Sequence, residues 1–164
     1  LLMIIHVPNK NTLIIDDFYL RCCVGKSGIN SNKKEGDYST PKGLFSLRKL
    51  YFRKDRVGIP KCKINKMIIK RDMAWCDDPK NKKYNEEIKT NNQNLRENLH
   101  RKDHKYDYII SINHNEKKTP GKGSAIFIHL TDNYKPTTGC VALKKKDFEI
   151  LLKLIDKKTK IKIG

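Results

Sequence analysis

The sequence predicts a mainly β (α+β) domain with one amphipathic helix on its flank. Short β-branched and apolar runs, bounded by turn residues, fill the first third of the chain and return after residue 105. The clearest helical period is in Asp147 to Lys158, where Phe148, Leu151, Leu152 and Ile155 stand at i, i+3, i+4 and i+7. The 164 residues contain no internal repeat, no linker rich in Gly, Ser or Pro and no break in composition. A chain of this length buries about 70% of its unfolded surface, so one domain over residues 1–164 is expected.

In chain order, Leu2 to Val7, Thr12 to Asp16 and Tyr19 to Val24 read as strands of an antiparallel meander. Pro8-Asn9-Lys10-Asn11 and Asp16-Asp17 are the turns between them. Gly25 to Gly36 is a polar segment. Pro41 cannot sit in a central ladder, so Thr40 to Gly43 is a turn at the entrance of an alternating strand, Leu44 to Tyr51. From Arg53 to Lys105 the chain is charged and reads as loops with weak helical pieces on either side of Asn91-Asn92-Gln93-Asn94; its strongest apolar stretch is Met67 to Ile69. Tyr106 to Ile112 and Ala125 to Leu130 are strands, the second apolar enough to be buried on both faces, and Pro120 to Gly123 is the turn between them. Thr159 to Ile163 closes the chain as a strand.

Charge and cysteine content narrow the function. Thirty-six Lys and Arg against 18 Asp and Glu give +18, which invites a nucleic-acid reading. The excess is 29 Lys to 7 Arg, accompanied by 14 Asn and 19 Ile, residues that codons rich in A and T enrich together. Bidentate contacts to phosphate and guanine favour the scarce Arg, and the lysines are dispersed, so no specific nucleic-acid partner is expected. An anionic wall polymer or lipid headgroups suit the same surface equally. The five cysteines, Cys22, Cys23, Cys62, Cys76 and Cys140, are odd in number and lack a CxxC pair, which argues against a disulfide framework or a zinc site. His100 and His104 are four apart but have no third ligand, so no metal or other cofactor is expected. Leu1 to Val7 is too short for a signal core or a membrane span, and no targeting segment is visible.

The chemistry concentrates near the C-terminus. A strand ending in His129 is followed by a short loop and Thr137-Thr138-Gly139-Cys140. A thiol nucleophile needs a base and backbone donors for the oxyanion. A histidine at a rigid strand end supplies the base, and Gly139 lets the backbone approach a carbonyl. The alternative for the same residues is a core histidine and a buried structural cysteine.

Ser124-Ala125-Ile126-Phe127-Ile128-His129-Leu130 with Pro136-Thr137-Thr138-Gly139-Cys140-Val141-Ala142-Leu143 resembles the catalytic signature of the L,D-transpeptidase (YkuD-like) family of peptidoglycan enzymes. Glu35-Gly36-Asp37 and Thr40-Pro41-Lys42-Gly43-Leu44-Phe45 resemble its threonine-proline-x-glycine strand entrance. Tyr51 to Arg56, Trp75-Cys76-Asp77-Asp78-Pro79, Tyr84-Asn85 and Tyr106-Asp107 resemble a compact branch of that family. The resemblance implies a bent β-sandwich of mixed sheets with a flanking helix. It also implies a monomer facing the periplasm or wall and acting on peptidoglycan stem peptides as donor and acceptor. Cys140 would be the nucleophile and His129 the base, with amides around Thr138, Gly139 and Cys140 lining the oxyanion hole and the Leu130 carbonyl steadying the imidazole.

The commoner family pattern has a longer loop before the cysteine, a His or Lys before the Gly-Cys pair and an Arg two residues after it. Thr138 and Ala142 stand at the latter two places here. Arg53 and Arg56 are therefore candidates for a substrate carboxylate, with an ion pair to Asp55 as the alternative. Asp77 and Asp78, beside Trp75, are candidates for an acid-base pair or for binding an amine, against a capped turn before Pro79. Trp75, Tyr84 and Asn85 are candidates for substrate binding by the resemblance alone. Transpeptidation, carboxypeptidase-type hydrolysis and release of wall-linked peptides or proteins share one thioester, and a non-catalytic basic wall- or nucleic-acid-binding module is the rival from another class. The disulfide state of Cys22, Cys23, Cys62 and Cys76 is left open.

Overall fold

A computed structural model describes residues 1–91 and 96–164; residues 92–94 of the predicted Asn91 to Asn94 separator lie outside them. The strands β1 Ile4–Asn9, β2 Thr12–Ile15 and β3 Phe18–Arg21 form the expected antiparallel meander. Alternation of buried and exposed residues places Ile5, Val7, Leu13, Ile15 and Leu20 on its inner face. Next come β4 Ile29–Asn30, β5 Thr40–Pro41, β6 Gly43–Phe52, the one-turn helix α1 Lys54–Val57 and β7 Asn65–Ile68. Thr40 and Pro41 pair in parallel with β4 instead of forming only a turn, so Pro41 sits in a two-stranded edge.

The long strand β6 sets the architecture. Its first residues, Gly43 to Ser46, pair with β14 Lys160–Ile163, and Leu47 to Phe52 pair with β11 Tyr108–Ile112, with a register shift between Ile110 and Ile112. One strand thereby joins two halves of a nine-stranded mixed sheet, ordered β13-β12-β11-β6-β14-β1-β2-β3, with β7 added in parallel along β6. Here β12 is Phe127–Leu130 and β13 is Val141–Leu143. The ends of the sheet meet: Cys23 and Ala142 exchange backbone hydrogen bonds of 3.0 and 2.9 Å, and Thr137 N–H donates to Val24 at 3.0 Å. Mixed sheets are therefore present as expected, but the bend closes into a near-barrel.

The near-barrel's interior holds Ile5, Val7, Leu13, Leu50, Ile110, Ile128, Leu143 and Ile161, capped by the helix α2 Lys145–Leu154. Phe148 on α2 is fully buried and stacks on Tyr108 with centroids 5.2 Å apart. The helix starts two residues before the predicted one and ends earlier. Asp156 Oδ1 accepts from the Lys158 and Thr159 amides, so the carboxylate offers that backbone a turn in place of another helical one. Phe148→Ala is expected to cost about 3–5 kcal/mol, read as a lowered denaturant midpoint at unchanged slope.

The segment read as loops is the main departure. Met73–Cys76 (β8), Glu87–Lys89 (β9) and Arg96–Asn98 (β10) form a three-stranded antiparallel sheet ordered β10-β8-β9. Beneath it lies a second cluster of Tyr51, Ile69, Met73, Leu99, Tyr106, Ile109, Phe127 and Cys140. This cover is why β12 is buried on both faces: Ile126, Ile128 and Leu130 face the main core, while Phe127 belongs to the second cluster and His129 takes its face.

Candidate active site

Strand β12 delivers the histidine and the turn before β13 delivers the cysteine. Period-two alternation puts His129 on the face of Phe127, and the parallel pairing of β12 with β13 sets His129 opposite Ala142 and Ile128 opposite Val141. Cys140 arrives one residue before that ladder. Its Sγ accepts from Phe127 N–H at 3.3 Å and donates to the Ala125 carbonyl at 3.2 Å. The Thr137 hydroxyl shapes the turn by donating to the Cys140 carbonyl at 2.6 Å and accepting from Gly139 N–H at 3.1 Å. Gly139 has φ of 151°, and a Cβ there would stand 2.9 Å from the Ser39 carbonyl oxygen, so this close approach requires glycine. The Gly139 amide is thus engaged. Thr138 and Cys140 N–H make no hydrogen bond among the described residues.

His129 Nδ1 lies 2.8 Å from the Leu130 carbonyl oxygen. A carbonyl only accepts, so the proton sits on Nδ1 and the lone pair on Nε2. Burial pushes the imidazole down to about 4, against the Leu130 bond that raises it. Burial likewise pushes the Cys140 thiol up to about 12, with the Phe127 amide pulling the other way. At neutral pH the pair is therefore an uncharged thiol and an uncharged imidazole.

Two clefts share Cys140, and His129 lines the first of them. One, of about 280 Å³, is lined by Cys140, His129, Ala142, Arg101, Lys105 and Lys135 among others; the second, of about 100 Å³, is lined by Cys140, Gly139, Lys33, Glu35, Asp77 and Ser124 among others. Thr138, Glu97 and Tyr106 line both. The first carries Arg101, Lys105 and Lys135 beside Glu97 and Asp132, with Arg101 paired to Asp103 at 2.6 Å and Lys135 to Asp132 at 3.4 Å. The second carries Glu35, Asp77 and Glu97, while its Lys33 is held by Asp37 at 2.6 Å. Burial, with Glu97 and Glu35 nearby, raises the Asp77 carboxyl above its usual value.

The other predicted residues divide. Arg53 and Arg56 line neither of these clefts. Arg53 donates to Asp55 at 2.8 and 2.7 Å and to the Arg101 carbonyl at 2.7 Å. Arg56 donates to Asp107 at 2.9 Å and to the carbonyls of Asp103 and Lys102 at 2.6 and 2.8 Å. The ion pair to Asp55 is present, and both guanidiniums are spent tying the 101–107 loop to α1. Asp78 Oδ1 caps its turn through Lys80 N–H at 2.9 Å. Trp75 donates to Asn85 Oδ1 at 2.9 Å and packs edge-on against Phe127. Asn85 Oδ1 also accepts from Ala125 N–H at 3.2 Å, and its amide group donates to the His114 and Asn115 carbonyls. Tyr84 donates to Glu35 at 2.7 Å and accepts from Gly123 N–H at 3.0 Å. Trp75, Tyr84 and Asn85 thus brace the approach to β12; Asp77 alone of the middle-segment candidates reaches the cysteine's clefts.

Sequence reasoning passed over Glu97, Arg101 and Lys33 as site residues. Tyr106 and Glu35 appear in it only within motifs. The signal for Glu97 and Arg101 was their flanking of a buried Leu99 in an otherwise polar stretch. All five cysteines are free thiols. Among the described residues no group of three His, Cys, Asp or Glu side chains is placed to hold a metal ion, and His104 Nε2 is 2.7 Å from the Thr131 carbonyl oxygen. Among them, too, no helix is long and apolar enough to cross a membrane.

The profile of the YkuD family, described as the L,D-transpeptidase catalytic domain, matches residues 3–163. The chain belongs to the YkuD family. No curated protein matches it. Two solved structures share the fold: the helical cell shape determining protein Pgp2 from Campylobacter jejuni, at 17% identity and a TM-score of 0.53, and Bd1075 from Bdellovibrio bacteriovorus, at 16% and 0.52. Each alignment covers 99% of this chain and 47% of the other, so the chain spans about half the length of these two neighbours.

Proposed function

We propose that this chain catalyses cysteine-dependent acyl transfer on peptidoglycan stem peptides, as an L,D-transpeptidase of the YkuD family. The observation that carries the reading is one cleft shared by a buried thiol and an imidazole whose Nδ1 proton is committed to the Leu130 carbonyl. Cys140 Sγ attacks the carbonyl following the L-centre of diaminopimelate while His129 Nε2 takes the thiol proton. The free N–H groups of Thr138 and Cys140 face the oxygen that gains charge. Collapse forms the thioester, and the imidazolium returns the proton to the departing terminal D-amino acid. An acceptor amine then attacks, His129 takes its proton, and the leaving thiolate recovers that proton from the imidazolium.

The polarity of the clefts supports an orientation. The cleft with Arg101, Lys105 and Lys135 suits the donor's carboxylates, and the one with Glu35, Asp77 and Glu97 suits the acceptor's ammonium. Asp77→Asn is expected to raise KM for the acceptor about tenfold, with hydrolysis of the donor changed by less than about threefold. Equal loss of both would contradict the orientation. Water in place of the amine gives carboxypeptidase-type hydrolysis or release of wall-linked peptides. Defined muropeptides separate these outcomes by mass: cross-linked dimer for transfer, shortened stem for hydrolysis. Peptidoglycan lies outside the cytoplasmic membrane, so the proposal places the domain there, as one catalytic unit over residues 1–164. The naming of Pgp2 as a cell shape determinant supports a role in cell shape.

A carbapenem, which presents a strained acyl group to the same thiol, is expected to add once, at Cys140. Intact-mass spectra without an adduct, or with one on another cysteine, would overturn the nucleophile assignment.

A further inference from the structure

We infer that Tyr106 is a positioning residue for His129, an assignment that rests on the acyl-transfer reading above. The Nδ1 bond to Leu130 pins one edge of the imidazole and leaves its tilt to whatever packs on the ring. Tyr106 packs there: its ring meets the imidazole at 73° with centroids 5.2 Å apart. It also meets Phe127, whose amide holds the Cys140 sulfur, at 78° and 5.9 Å. One aromatic plate therefore touches the base and the residue that anchors the nucleophile.

The plate is itself fixed. Tyr106 is 6% exposed, and its hydroxyl donates to Glu97 Oε1 at 2.8 Å. Arg101 covers its ring at 5.1 Å from the centroid and stands 3.6 Å from the same Glu97 oxygen. The Arg101 carbonyl is gripped by Arg53, which chelates Asp55 on α1. A continuous set of contacts thus runs from α1 through Arg53, Arg101 and Tyr106 to the imidazole, and it explains why the two arginines of α1 and its cap point away from the clefts. Because Tyr106 lines both clefts, it also stands between the two polar surfaces at the reacting sulfur.

Loss of the plate leaves the Nδ1 bond intact but lets the imidazole tilt, and misplacement of a catalytic group by about 1 Å costs up to about 100-fold. The test measures steady-state kinetics on tetrapeptide stems together with the rate of Cys140 alkylation by iodoacetamide at pH 7 and pH 10. Tyr106→Leu is expected to lower kcat by about 10- to 100-fold with KM changed less than about threefold. Alkylation at pH 7 should slow towards the His129→Ala rate, and the pH 10 rate should stay near that of the unaltered protein. Tyr106→Phe keeps the plate and should retain at least about a third of kcat. If Tyr106→Leu does not fold, Tyr106→Met fills the volume without a flat edge and carries the same expectation.

A rise in KM at constant kcat would make Tyr106 a substrate contact, and unaltered kcat and alkylation in the Leu or Met variant would make it filler; either overturns the assignment. Should the unaltered protein leave all stems intact, the acyl-transfer reading fails. The alkylation ratio then still reports whether Tyr106 controls the coupling of imidazole to thiol, and an unchanged ratio overturns the assignment on its own.

Discussion

Cys140→Ala is expected to abolish acyl transfer, by on the order of 10⁴-fold or more, while the protein stays folded. The sulfur is the atom that forms and breaks the bond in the proposed reaction, so no neighbouring group substitutes for it. The structural cost is small by comparison. Alanine removes the acceptor of the Phe127 amide and the donor to the Ala125 carbonyl, bonds worth about 1 kcal/mol each. Circular dichroism and a thermal melt would separate the two effects: a near-native spectrum, a slightly lowered Tm and no turnover. Retained turnover by the Ala variant would exclude Cys140 as nucleophile.

His129→Ala is expected to lower kcat by about 10²- to 10⁴-fold at pH 7, the usual contribution of a positioned base. The pH dependence distinguishes this site from a thiolate-imidazolium pair. With the thiol near 12 and the imidazole near 4, the resting pair is neutral from about pH 5 to pH 11. Activity should therefore hold on the acid side until the imidazole titrates near pH 4. Alkylation of Cys140 should climb through pH 10 without a plateau near neutrality. A plateau beginning below pH 7 would mean a preformed thiolate and contradict the neutral pair. Stability carries the same sign: a histidine of ordinary value 6.5 held near 4 in the fold favours the folded state above about pH 6.5, and that contribution is lost as the pH falls towards 4.

Most of the frame was legible because it is written in periods. β-Branched apolar runs mark β1 and β2, alternation marks β14, a nearly all-apolar run marks β12, and i, i+3, i+4 spacing marks α2. What stayed hidden is tertiary. The three-stranded sheet is built from strands of three or four residues, too short for alternation to rise above the charged background. Barrel closure rests on backbone bonds that join Cys23, Val24 and Lys26 to Ala142 and Thr137, which no side chain announces. At the site, Cys140 and His129 were legible from local residue types and from the resemblance. Arg53 and Arg56 were left between a substrate carboxylate and an ion pair with Asp55, because a guanidinium beside an aspartate reads the same whether it waits for substrate or ties down a loop. Tyr106 lies 23 residues before His129 and is brought to it by the turn leading into β11.

The net +18 is spread over the surface, whereas the smaller cleft at Cys140 is walled by Glu35, Asp77 and Glu97. The two clefts that share Cys140 therefore differ in their balance of charged side chains, a contrast that the net charge alone does not convey.

The central claim is a thioester on Cys140, and the most direct measurement is rapid quench in acid after mixing with tetrapeptide muropeptides, followed by intact and peptide-level mass spectrometry. Free terminal D-amino acid and a tripeptide-muropeptide adduct confined to Cys140 are expected, the adduct accumulating when no acceptor amine is supplied and discharging when one is added. Product formation with no Cys140 adduct at any quench time, or an adduct on Cys22, Cys23, Cys62 or Cys76 instead, would contradict it.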